Sequence, residues 1–255
     1  MKIAIMQPYF FPYIGYFQAI YAADKYLIYE NLDFITEGWM NRNRILIKNQ
    51  KPTYINALIA NKSSNKKIYD VELFAYKTWK KKLLNSIELN YRGSKFFNEI
   101  FPVLEAVIKS EIIFLHQYNS HIIKTICIYL GIKTEIISQN NNYLPLEENL
   151  LSIDRSDYSH FPELLKTKPI KKVARVLSIC KAENANIFIN AIGGQELYNK
   201  NEIKQYGIDL FFLETKPYIY QQFSEDFFLH LSIIDVLMHN GKEGTMQIIK
   251  NFNLI

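Results

Sequence analysis

Two stretches of this 255-residue chain place residues that do chemistry close together. The first reads Gln7-Pro8-Tyr9-Phe10-Phe11-Pro12-Tyr13-Ile14-Gly15-Tyr16, where two prolines and a glycine frame one amide and three phenols. Pro8 and Pro12 fix φ, so such a loop loses little entropy when a ligand binds. Tyr9, Tyr13, Tyr16 and Phe10 offer flat faces for a base or sugar ring; the alternative is an aromatic loop packed on a sheet. The second stretch is Trp39 followed by Asn41-Arg42-Asn43-Arg44. Arginine forks match phosphate or carboxylate oxygens two at a time, and asparagine amides add donors and acceptors. Strand alternation would put Arg42 and Arg44 on one face and Asn41 and Asn43 on the other. One pair could then meet a diphosphate while the other organises the loop, with a plain surface strand as the alternative.

Weaker signals lie elsewhere. Gly193-Gly194 after Asn190 would let an anion approach a following helix, although it is neither a GxGxxG nor a P-loop. Asp235 opens an apolar helix, either as a partner of the helix dipole or as a general base. The histidines at 116, 121, 160, 230 and 239 show no metal spacing. No Ser-His-Asp or Cys-His order and no G-x-S-x-G is present, which disfavours metal catalysis and a serine nucleophile. Cys127 and Cys180 sit in apolar helical contexts, as expected of buried free thiols in a reducing compartment.

The elements that would position these residues follow from periodicity. Ile3–Met6 reads as a buried strand that ends at Gln7-Pro8, residues 8–15 as a rigid loop, Tyr16–Ala23 as a helix and Tyr26–Tyr29 as a second strand. Strand, helix and strand within thirty residues is a βαβ unit, which implies parallel pairing. After a polar-aromatic loop from Glu30 to Arg44, Ile45–Ile47 and Thr53–Ile59 read as strands around a Lys48–Pro52 turn, and Asn61–Lys67 as a surface loop. Lys77 to about Ser138 reads as mostly helical and closes with a strand over Lys133–Ser138. Asn140–Asn142 and Pro145 mark a loop and a possible subdomain boundary near 140–150. Helices at Val173–Asn184, Gln195–Tyr206, Ser232–Leu237 and Thr245–Asn251 alternate with strands at Asn186–Asn190 and Ile208–Leu213. The expectation is one α/β domain over 1–255, a doubly wound, mostly parallel sheet with a helical insertion at about 70–130. Ligands of such sheets bind beyond the carboxyl ends of the strands, here residues 7–16, 30–44 and 190–195.

Composition constrains the function less. Hydrophobic residues make up 49% and charged residues 22%, enough apolar material for a sizeable core. The 18 Tyr and 17 Phe accompany abundant Lys and Asn, a bias that an AT-rich genome explains. The net charge of +5 is mild, and Lys80-Lys81-Lys82 beside Trp79 reads as a solvated helix face, so no nucleic-acid partner is expected. It suits an anionic small substrate or an acidic protein partner. The N-terminal apolar stretch is too short for a signal peptide and no window approaches a membrane span, so a cytoplasmic protein is expected.

Met6-Gln7-Pro8-Tyr9-Phe10-x-Pro12-Tyr13-Ile14-Gly15-Tyr16-Phe17, Gly38-Trp39-x-Asn41-Arg42-Asn43-Arg44, Asn190-x-Ile192-Gly193-Gly194 and Leu231-Ser232-Ile233-Ile234-Asp235 together resemble the WbqC-like family. Its members accompany genes for O-antigen lipopolysaccharide and other surface glycans, some in pathways to sugars whose amino group bears an aminoacyl substituent. The resemblance implies an N-acyl or N-aminoacyl transferase acting on a dTDP- or UDP-linked amino sugar, with no bound cofactor. The donor would be a thioester on an acyl or peptidyl carrier protein or on CoA. Amide formation of this kind needs a phosphate grip, a base for the sugar ammonium and a donor for the thioester oxyanion. Arg42 and Arg44 would supply the first, Glu30, Asp33 or Asp235 the second, and Gln7 or Asn41 the third. Tyr9, Tyr16 or Trp39 would stack on base or sugar, and Asn43, Asn190, Gly193 and Gly194 would line the pocket. The chain departs from the family at Glu30-Asn31-Leu32-Asp33, where two acidic residues followed by Val-Gln are common. Leu229-His230 also stands where Pro-Trp is usual. A metal-dependent nucleotidyl- or glycosyltransferase of the same pathway, or a non-catalytic glycan-assembly protein, are the alternatives.

Overall fold

The computed structural model describes residues 1–47, 51–60, 66–75 and 78–255. Its main sheet contains β1 (Lys2–Met6), β2 (Lys25–Ile28), β5 (Glu135–Ile137), β6 (Ile187–Ala191), β7 (Asp209–Thr215) and β8 (Phe252–Leu254). The order is β5-β2-β1-β6-β7-β8, parallel throughout except for the β7–β8 edge. A second sheet is the antiparallel hairpin of β3 (Arg42–Leu46) and β4 (Pro52–Asn56), with Arg44 opposite Tyr54.

The central strands are apolar on both sides, as strands covered on both faces must be. Ala4, Tyr26, Ile28 and Ile189 point to one face, and Ile3, Leu27, Tyr29 and Phe188 to the other. The first face packs against α1 (Ile14–Ala22), α8 (Ile233–Ile249) and three helices between β4 and β5: α2 (Thr78–Tyr91), α3 (Phe97–Ile108) and α4 (Leu115–Leu130). The second packs against α5 (Leu144–Ile153), α6 (Lys171–Ala182) and Ile203 of α7 (Lys200–Lys204). The chain is therefore an α/β fold wound on both faces of a mostly parallel sheet. From β1 it proceeds outward to β2 on one side, while β6 and β7 extend the other side. Strand order thus reverses between β1 and β6, where such sheets open a crevice.

Three sequence expectations change. Ile45–Ile47 and Thr53–Ile59 belong to a separate hairpin whose first strand begins at Arg42. The loop expected around Pro145 is a short 3-10 turn leading into α5, because a proline in the first helical turn gives up only an N–H that has no partner there. Gln195–Tyr206 is a 3-10 turn over Ile192–Glu196 followed by α7, which is capped by Asn199. Ser232–Leu237 and Thr245–Asn251 are two helical stretches, as expected; α8 comprises both, and they meet at Gly241, whose φ of 62° is non-helical. There a Cβ would lie 2.5 Å from Phe96 Cδ1, so glycine serves both the backbone angle and the packing. The Lys48–Pro52 turn, the Asn61–Lys67 loop and the helix start at Lys77 fall partly or wholly outside the described residues. Cys127 and Cys180 are buried and free. Among the described residues no helix is long and apolar enough to cross a membrane.

Candidate functional site

The loop after β1 is held from several sides through its own carbonyls. Tyr16 Oη donates to Gln7 O at 2.9 Å, and Asn119 Nδ2 to Pro8 O at 2.9 Å. Asn43 Nδ2 donates to Phe10 O at 3.0 Å and Phe11 O at 2.7 Å, and Ser232 Oγ also donates to Phe11 O at 2.9 Å. The Ile233 N–H reaches Pro12 O at 2.8 Å, and the Phe10 N–H reaches Trp39 O at 2.9 Å. With its proline φ angles fixed and these carbonyls satisfied, the loop is a preorganised wall. Tyr16 is fully buried and belongs to the core, so it offers no face to a ligand, contrary to expectation. Its side chain faces Tyr26 and fixes the start of the loop. Asn43, 3% exposed, likewise organises the loop, as alternation along β3 allowed.

Beyond the carboxyl ends of β1 and β2 lies a cavity of about 700 Å³ that receives Gln7, Asp33, Lys67, Glu147, Lys171, Lys172 and Arg175. Its floor is an ion pair between helices. Arg175 of α6 donates Nε to Glu147 Oε1 at 2.5 Å and Nη2 to Oε2 at 2.7 Å, and Tyr29 Oη adds a bond to Oε1 at 2.7 Å. Burial, then the charge of Glu147, pushes the Tyr29 phenol up, so it remains a donor. Around the rim, Lys67 meets Asp33 at 2.7 Å and Lys171 meets Asp154 at 2.8 Å, while Lys172 and Glu148 are exposed. Behind this cavity Glu30 is buried and accepts from Asn140 N at 2.5 Å and Asn140 Nδ2 at 2.8 Å, which ties the end of β2 to the end of β5. Burial raises its carboxyl. It braces the cavity rather than lining it.

A second cavity of about 350 Å³ is bounded by Tyr9, Tyr13, Trp39, Asn43, Arg44 and His230. The Arg44 guanidinium lies over the Trp39 ring at 5.9 Å, and Arg42 over Tyr54 at 4.6 Å. Trp39 and Tyr54 are 6.5 Å apart, so cations and rings alternate along one face of the hairpin. Arg42 and Arg44 do share that face. Tyr13 meets the His230 ring edge-on at 5.9 Å.

The residues that the sequence grouped into one pocket are thus divided. Gln7 and Asp33 face the larger cavity; Tyr9, Trp39, Asn43 and Arg44 face the smaller. Asp235 reaches neither: it is fully buried and accepts from Tyr91 Oη at 2.7 Å, Tyr220 Oη at 2.6 Å and Gln222 Nε2 at 3.2 Å. Without access to a substrate it cannot serve as the base, and it anchors α2 and the 218–222 segment to α8. Asn190 and the glycine pair also stand apart. Asn190 Oδ1 accepts from Ala191 N at 2.9 Å, and its amide packs so closely on Gly194 that a Cβ there would lie 2.1 Å from Nδ2. Asn41 holds β4 through its carbonyl, which accepts the Ala57 N–H at 2.8 Å. Sequence reasoning missed Tyr29, Glu147, Lys171, Lys172 and Arg175. The signal for three of them was present: Lys171 and Arg175 are one helical turn apart at the start of an amphipathic helix, with Lys172 between. Among the described residues no three His, Cys, Asp or Glu side chains group closely enough to hold a metal ion.

The sequence profile of the WbqC-like protein family matches residues 7–247. The uncharacterized protein Rv1507c of Mycobacterium tuberculosis is 23% identical over 245 residues, 95% of this chain and 95% of its own length. No solved structure matches the chain.

Proposed function

We propose that this chain, which belongs to the WbqC-like protein family, is an acyltransferase of surface-glycan biosynthesis that acts on the amino group of a dTDP- or UDP-linked amino sugar. The observation that supports this reading is the mixed charge of the larger cavity, where lysines and an arginine alternate with carboxylates. A nucleotide-linked amino sugar carries both a diphosphate and an ammonium group, and needs both signs of charge at its site. A cavity of about 700 Å³ suits a ligand of that size.

In this reading Lys171 and Lys172 meet the diphosphate, and Arg175, locked to Glu147, adds a fixed positive edge. Glu147 already accepts from Arg175 and Tyr29, and we assign the base to Asp33, which stands exposed at the rim beside Lys67. Asp33 takes a proton from the sugar ammonium, and the free amine attacks the carbonyl carbon of a thioester carried by CoA or an acyl or peptidyl carrier protein. The Gln7 side-chain amide donates to the developing oxyanion. The new C–N bond forms as the C–S bond breaks, the amine loses its second proton, and the sulfur leaves as a thiol. No residue of the chain becomes acylated.

The test is to incubate the protein with dTDP- and UDP-linked amino sugars and a panel of acyl and aminoacyl thioesters, reading the mass of the sugar nucleotide. An amide mass gain that falls about a hundredfold or more in Asp33→Asn supports the reading. Product from a nucleoside triphosphate or a sugar donor, with none from any thioester, overturns it.

A further inference from the structure

We propose that the smaller cavity is a second ligand site, built for a flat ring that bears a phosphate, that is, a nucleoside monophosphate. The transferase reading above does not use this cavity, and the proposal stands without it.

Its lining is mainly aromatic, with Tyr9, Tyr13, Trp39 and His230, the Tyr13 and His230 rings packed at right angles to each other. Trp39 is 41% exposed, so its ring is open to a ligand in the cavity. Arg44 gives its plane to Trp39 and keeps its donor edge free for another group. Among the described residues its Nε is buried with no hydrogen-bond partner. Among the described residues Arg44 makes no ion pair, so it lines the cavity as an uncompensated cation.

The placement of donors then favours one kind of anion. Burial pushes the Tyr9 and Tyr13 phenols up, so both remain protonated and present O–H donors. With Arg44 and His230, four side chains can donate into this space, while the Asn43 amide is already committed to Phe10 and Phe11. A phosphate monoester turns three terminal oxygens in tetrahedral directions toward donors on several walls, whereas the acceptor sites of a carboxylate lie in one plane. The volume of about 350 Å³ lies at the small end of ligand sites, enough for one nucleotide and half the space of the larger cavity. The anchored 7–13 loop and the hairpin hold the walls before a ligand arrives, so little ordering is needed on binding.

Tryptophan fluorescence reads this site directly, because Trp79 is 4% exposed and hydrogen-bonded to Phe74 O, whereas Trp39 lines the cavity. The unaltered protein is titrated with dTMP, with thymidine, with inorganic phosphate and with 4-hydroxybenzoate, each read by the Trp39 signal. Saturable quenching by dTMP that disappears in Trp39→Phe is expected. Thymidine and phosphate alone should bind about tenfold or more weakly. Arg44→Gln should weaken dTMP by about tenfold, Arg44→Lys by less, and Lys172→Gln, in the other cavity, should leave the quench unchanged. The unfolding midpoint of each variant checks that it is folded, and the probe series on the unaltered protein requires no variant. Thymidine binding as tightly as dTMP, 4-hydroxybenzoate binding where dTMP does not, or an affinity lost in Lys172→Gln and kept in Arg44→Gln would each overturn the proposal.

Discussion

A single amide nitrogen of Asn119 holds two loops together, donating to Pro8 O at 2.9 Å and to Met40 O at 2.7 Å from a fully buried position. Asn119→Ala would leave both carbonyls without a donor, at about 1–3 kcal/mol each, and should lower the urea midpoint accordingly. The effect should be larger than that of an alanine at exposed Lys172, which holds no loop. A second residue ties stability to acid. Burial lowers the His116 imidazole to about 4, while Asp70 opposes the shift. Its ordinary value is near 6.5, so the folded state prefers the neutral ring. The stability this provides is complete above about 6.5 and drains away as pH falls toward 4. His116→Gln should flatten the acid limb of a plot of unfolding midpoint against pH; an unchanged limb would assign it to other groups. Asp235 runs the opposite way. Burial raises its carboxyl, so ionising it becomes a growing cost as pH rises through the folded value, only partly offset by Tyr220 and Tyr91.

Between elements, the bond that matters most to the larger cavity is the one from α6 to α5. Both side chains of the Arg175–Glu147 pair are mostly buried, at 14% and 12% exposure. Arg175→Met would strand a carboxylate against Tyr29, at about 3–5 kcal/mol, whereas Arg175→Met combined with Glu147→Leu should regain most of that loss. Denaturant titration of the two variants side by side checks this, and equal losses would mean that the cost is packing rather than charge. This pair also illustrates what a sequence conceals. The strands β1, β2, β6 and β7 are legible because buried parallel strands write themselves as short apolar runs between turn residues. Gln7 and Asp33 are legible for the same reason, since they follow strand ends. Arg175 is not, because its direction depends on which face of α6 turns to the crevice, and that is set by the order of strands several elements away. Pro145 misleads in another manner. Set after three asparagines it reads as loop, yet it sits in the first turn of α5, where its fixed φ is accommodated. Asp235 was ambiguous in principle, since an acid at a helix start reads identically whether it faces solvent or two tyrosines.

At the scale of the molecule, the reversal of strand order between β1 and β6 sets where the larger cavity opens, and the hairpin β3–β4 adds the smaller one beside it. The family motifs make sense in this frame. Most of their polar atoms, in Asn43, Ser232, Asp235 and Asn190, bond to backbone or to other buried side chains. They specify the walls, and residues outside the motifs supply much of the charge within the larger cavity.

Only three residues of β8 pair with the outer side of β7, and the chain continues that ladder through Ile255, which exchanges both backbone bonds with Phe212. Without residues 252–255 the seven residues of β7, Asp-Leu-Phe-Phe-Leu-Glu-Thr, would present an open row of N–H and C=O groups. Such a row is a template for another chain. The truncated protein should therefore be expected to fail by self-association before it fails by unfolding, with light scattering rising with concentration at temperatures where its circular dichroism is still native. This short antiparallel strand acts as a guard against aggregation.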